Sequence, residues 1–183
     1  MAWSESGVFA QTLLDLLQNV ANNNASILTP TYKFALYTND ITPDSSVAAN
    51  VTAPGTGVWA TIDEVANTSG TGNWPAGGVT ITTPAHRVDT TGTGFGSGVR
   101  YQFDADNITT TSVTTEDNAG SGAPAAAHGG LLYGDTWTTP VADQGLAFIY
   151  FGGAYQSTNG TFNVTWGTAD SSTSACIWQL IGL

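Results

Sequence analysis

Apolar residues near the start of the chain recur at helical spacing. Val8, Phe9, Leu13, Leu16, Leu17 and Val20 fall on one helical stripe, and Ser4 or Ser6 stands where a cap would. Asn22, Asn23 and Asn24 follow as a stop. The pattern predicts a helix over about residues 4–22, inside an N-terminal arm of residues 1–24. Beyond it the period drops from helical to two. Tyr32, Phe34 and Leu36 alternate with Lys33, Ala35 and Tyr37 between Pro30 and Pro43, which reads as a strand. Further strands are predicted at 58–66, 79–83, 100–104, 108–115, 131–133, 145–151, 161–166 and 175–181. The alternation is strictest in Thr161-Phe162-Asn163-Val164-Thr165-Trp166, a strand with one buried and one wet face. Aperiodic stretches near 39–57 and 116–130, rich in Gly, Pro, Ala and Ser, read as exposed loops.

About eight short strands at this spacing predict a mostly β chain. The expected fold is an antiparallel β-sandwich or barrel-like domain over residues 25–183, preceded by one N-terminal α-helix. Phe34, Leu36, Phe148, Phe162, Val164 and Trp166 are the expected core. Composition agrees. The chain has 183 residues with 6 Trp, 6 Tyr, 7 Phe and 22 Gly but a single Met, a stock that suits pleated surfaces and turns better than helix bundles.

Charge narrows the functions. Only 9% of residues are charged, and 3 basic against 14 acidic residues leave a net charge of -11. Lys33, Arg87 and Arg100 cannot form a basic stripe, so neither nucleic acid nor an anionic membrane is an expected partner. No apolar run is long enough for a membrane helix. The start MAWSESG lacks a signal peptide's basic region, so accumulation in the cytoplasm is expected. Cys176, the one cysteine, allows no internal disulfide and reads as a small buried hydrophobe.

Little in the sequence points to catalysis. His86 and His128 have no second histidine at ligand spacing, and no nucleophile-elbow pattern accompanies the abundant serines. Asp104-Ala105-Asp106-Asn107 opens like a calcium loop but lacks the later glycine and glutamate, which leaves a tight turn as the simpler reading. Asp63 and Glu64 read as a solvated pair. Trp59, Trp74, Trp137, Trp166 and Trp178 are consistent with a sugar platform or, preferably, with core and interface packing. No catalytic residue, cofactor or metal is expected.

Several blocks, taken in order, carry a resemblance. They are YKFALYTNDITPD (32–44), DEVANTSGTGNWPAGGVTITTP (63–84), RYQFDADNITTTSVT (100–114), GLLYGDTW (130–137) and GLAFIYFGGAYQSTNGTFNVTW (145–166). Together they resemble a widespread family of small virion structural proteins of tailed phages. The chain departs from the family pattern at Tyr150, which precedes Phe151-Gly152-Gly153 where the family often has Asp, and in the long segment 116–130. The resemblance implies a virion component assembled in the host cytoplasm, without catalytic residues. The leading expectation is a capsid decoration or cement protein bound to the major capsid protein and to other copies of itself, with a trimer favoured. A minor tail or vertex-associated protein, or a glycan-binding adhesion module, are the alternatives. The interface is expected at Trp3, Val8, Phe9, Leu13, Leu16 and Leu17, because the helix is the one apolar element outside the strand pattern.

Overall fold

A computed structural model describes residues 3–15, 31–67, 74–89, 100–119, 122–138, 141–166 and 177–181. The fold is mostly antiparallel β with one short N-terminal helix. Twelve strands are described: β1 (Gly7–Val8), β2 (Tyr32–Tyr37), β3 (Glu64–Ala66), β4 (Val79–Thr80), β5 (Ala85–Asp89), β6 (Arg100–Asp104), β7 (Ile108–Val113), β8 (Glu116–Asp117), β9 (Ala127–Gly134), β10 (Gly145–Tyr155), β11 (Gly160–Val164) and β12 (Trp178–Ile181). Seven of them form one sheet in the order β1-β10-β9-β2-β3-β8, with β4 also paired to β2. Every pairing in it is antiparallel. The sheet has two ends and does not close into a barrel.

The chain forms two compact units instead of one β-rich domain behind an arm. The first comprises Met1–Thr80 and Thr110–Phe162, the second Ile81–Thr109 and Asn163–Leu183. Residues leave the first sheet after β4, and β5, β6 and β12 pair among themselves as a separate three-stranded sheet. β7 and β11 form a two-stranded pair. Strand β5 falls where no strand was expected.

The start of the chain departs most from its pattern. Gly7 and Val8 pair with Phe148 and Ala147 as an edge strand, and Phe9 N–H continues the contact to the Leu146 carbonyl at 3.0 Å. Helix begins only at residue 10 and is described to 15. Leu16, Leu17 and Val20 lie outside the described residues. Ser6 caps nothing: its hydroxyl accepts the Tyr150 N–H at 2.9 Å. Unpaired edge groups of β10 outcompete local helical propensity here, since a buried backbone donor without a partner costs more than a turn of helix yields. Gly7 suits the position because an added Cβ would stand 2.7 Å from the Phe148 ring.

The second departure is at 116–130, expected as a loop. Glu116–Asp117 pairs with β3, and β9 already begins at Ala127. Gly129 and Gly130 sit inside that central strand. A Cβ on Gly129 would strike the Trp3 ring, and one on Gly130 the Phe34 ring. The glycines admit aromatic rings onto the strand from both faces, and propensity alone reads them as a turn.

Core residues of the first unit are aromatic or aliphatic, most on strands and the rest, such as Ile41, Trp59 and Trp74, in the connections. Phe34 and Leu36 are fully buried and Phe148 is 2% exposed. Phe162 is buried and meets the buried Trp74 edge to face at 5.4 Å. From 161 to 166 exposure alternates strictly, with Phe162, Val164 and Trp166 buried and the threonines and Asn163 exposed. Trp166, in the second unit, is held by two bonds to the turn after β6. Its N–H reaches Asn107 Oδ1 at 2.8 Å, and its indole N–H reaches the Asp106 carbonyl at 3.0 Å.

Candidate interaction surface

Trp3 and Phe9, expected at an interface, are instead spent inside the chain's own core. They are 4% and 0% exposed and belong to a cluster with Tyr37, Ile41, Trp59, Leu131, Tyr133 and Phe148. Trp59 is its hub. Tyr37 lies 5.1 Å away edge to face, Trp3 5.8 Å and Phe9 6.1 Å. The Trp3 indole N–H donates to the Thr38 carbonyl at 2.7 Å, so both its apolar body and its polar edge are satisfied internally. Val8 and Leu13 are half-buried. The apolar stripe marks a real need for burial, and strand pairing of the residues before the helix lets its own subunit meet that need.

A polar latch holds the helix in place. Thr12 Oγ1 donates to the Gly145 carbonyl at 2.6 Å, and Gln144 Nε2 donates to Asp15 Oδ2 at 2.9 Å. Gly145 N–H in turn reaches Thr52 Oγ1 at 3.1 Å. Thr12, Thr52 and Gln144 are fully buried. A buried polar group is costly to unpair, so this network ties residues 10–15 to the start of β10.

Glu64 is not part of a solvated pair. It is 4% exposed, and its carboxylate accepts the Gly77 N–H and the Asn118 side-chain amide, the latter at 2.7 Å. Tyr133 Oη donates to the Gly77 carbonyl at 2.6 Å. The carboxylate thus pins two turns against β3. Burial pushes its pKa up, and the two hydrogen bonds oppose that shift without cancelling it. Burial also raises Asp63, helped by Asp40 and Asp117. Among the described residues no three His, Cys, Asp or Glu side chains stand where they could hold a metal ion. His128 lies half-buried on β9 beside the Ala126 carbonyl. The side chains of His86 and Trp178 lie outside the described residues.

Trp59, Trp74, Trp137 and Trp166 are all buried and offer no sugar platform. Among the described residues the exposed large apolar side chains are Leu14, Val58, Ile62 and Tyr155. Tyr155 ends β10, which runs 11 residues and passes from buried to exposed along its length. Its register against β9 shifts once between Gly145 and Ala147, runs regularly from Ala147↔Leu132 to Tyr150↔Gly129, and resumes only at Tyr155↔Ala127. Residues 151–154 bulge from the ladder. Gly152 adopts φ +77, and a Cβ on either Gly152 or Gly153 would meet nothing within 4 Å. Phe151 and Tyr155 flank them with rings 6.0 Å apart, edge to face.

No protein-family model, curated protein or solved structure matches the chain. The surface that stands out by geometry is therefore the outer end of β10, a stretch that the sequence marked only as the end of a strand.

Proposed function

We propose that this protein is a structural component of a tailed-phage particle, a decoration protein bound to the outer shell in company with other copies of itself. The carrying observation is the ordered set of motifs that resembles the virion family. Three of those blocks coincide with β2, β9 and β10, adjacent strands of the large sheet, so the resemblance lies in fold-determining segments. The charge-poor surface supports the reading. With 3 basic residues and a net charge of -11, docking to another acidic protein rests on apolar contact and neutral hydrogen bonds.

Copy number on purified virions tests the proposal. Quantitative mass spectrometry or a cryo-EM map should find hundreds of copies spread over the shell. A few to a few dozen copies would move the protein to the tail or a vertex, and its absence from the particle would overturn the virion reading altogether.

A further inference from the structure

We infer that the bulged end of β10, residues 150–155, is a self-association surface that packs against the same segment of a second copy of this chain. The inference rests on the proposed role only in that a particle protein must assemble, and the two can fail separately.

Three observations carry it. The first is backbone availability. β1 pairs with β10 opposite Ala147 and Phe148, the flanking Phe9 and Ser6 bond Leu146 and Tyr150, and among the described residues no strand is in register with residues 151–154. Strand backbone outside a ladder presents donors and acceptors that another chain can use. Glycines at a bulge with empty space above them allow another backbone to come close.

The second is preorganisation. The bulge lies between two fixed points. On one side Tyr150 stacks on Trp3 with ring centroids 6.3 Å apart. On the other, Thr115 and Ser157 exchange hydrogen bonds of 3.0 and 3.1 Å just beyond Tyr155. Docking a segment that is already held loses less conformational freedom than ordering a loose one. Tyr155, 52% exposed, supplies aromatic area of the kind that anchors interfaces.

The third is charge, and it permits a second copy as the occupant. A second copy also carries -11, so most approaches bring acid against acid. Residues 145–166 contain no Asp, Glu, Lys or Arg. Contact made through this stretch sets none of its own side-chain charges against the partner copy. Identical segments meeting about a symmetry axis satisfy each other's requirements, as closed homo-oligomers do.

Gly153→Glu is the decisive variant. Its added side chain meets open space and its backbone is not in the left-handed region, so the subunit should fold as before. Sedimentation of the full-length wild type at micromolar concentration should give an oligomer that strengthens with salt. Gly153→Glu should sediment as a monomer with an unchanged melting transition, and Ala154→Glu should match it if the first variant folds poorly. As a check without mutation, the amides of 151–154 should slow their hydrogen exchange as wild-type concentration rises. A wild-type monomer throughout, an oligomer that survives both glutamates, or exchange at 151–154 that ignores concentration would each overturn the inference. A monomeric protein still found in hundreds of copies on virions would overturn it while leaving the decoration role standing.

Discussion

Trp166 shows what one side chain does in this fold. It lies two residues beyond β11 at 7% exposure and closes two hydrogen bonds onto the turn at Asp106 and Asn107. Trp166→Ala removes the ring and leaves a carbonyl without its donor, so the expected cost is about 3–5 kcal/mol by chemical denaturation. A melting temperature within about two degrees of wild type would contradict that packing. Gly130 makes the opposite test. Gly130→Ala forces a methyl into the Phe34 ring and the Ala35 carbonyl, and should cost about 1–3 kcal/mol. Gly153→Ala, over open space, should stay within about 0.5 kcal/mol of wild type. Glu64 gives a pH dependence whose sign follows from its raised pKa. The fold binds the Glu64 proton more tightly than the unfolded chain does, so stability falls as pH rises from the ordinary glutamate value of 4.5 through the raised one. Asp63 and Asp143, also raised by burial, add slopes of the same sign. Glu64→Gln should flatten the Glu64 part of that decline, as measured by denaturation across mildly acidic pH. An unchanged slope would mean that the carboxylate is solvated.

At the scale of elements, the N-terminal segment is part of the first unit's core, not a free arm. β1 closes one end of the sheet, while Trp3 and Phe9 complete the aromatic cluster about Trp59. Phe9→Ala should therefore destabilise the isolated subunit by about 3–5 kcal/mol, a size comparable to much of a small domain's stability. A melting curve like that of wild type would return Phe9 to the role of an external anchor. The helix at residues 10–15 was legible because helical spacing is local. The replacement of helix by strand at Gly7–Val8 was not, because the competing partner, β10, lies about 140 positions along the chain. The same holds for Gly129 and Gly130. Two adjacent glycines read as a turn, and only the rings of Trp3 and Phe34, brought in from distant segments, reveal why they sit in a central strand.

At the scale of the whole molecule, net charge limits which surfaces the protein can approach. A chain with net charge -11 repels acidic surfaces over a Debye length of about 10 Å at 0.1 M salt. On the proposed decoration role, attachment to undecorated particles should hold or tighten between about 0.05 and 1 M salt. Steep weakening over that range would show that attachment is electrostatic, with a basic partner surface.

The sequence by itself determined the class of fold and the sign of its surface. Period-two alternation, an aromatic and glycine-rich stock and very few charges are sums over local choices, and they survive any arrangement of the strands. Phe162, Val164 and Trp166 were legible for the same reason, since one alternating strand decides which of its faces is wet. Tertiary structure decided whatever depended on a distant neighbour. It divided the chain into two units, enclosed Trp3 and Phe9, buried Glu64 between two turns and left residues 151–154 of β10 out of register with β9. The physical reason is that burial and hydrogen-bond satisfaction belong to contacts between segments far apart in sequence, which no local period encodes.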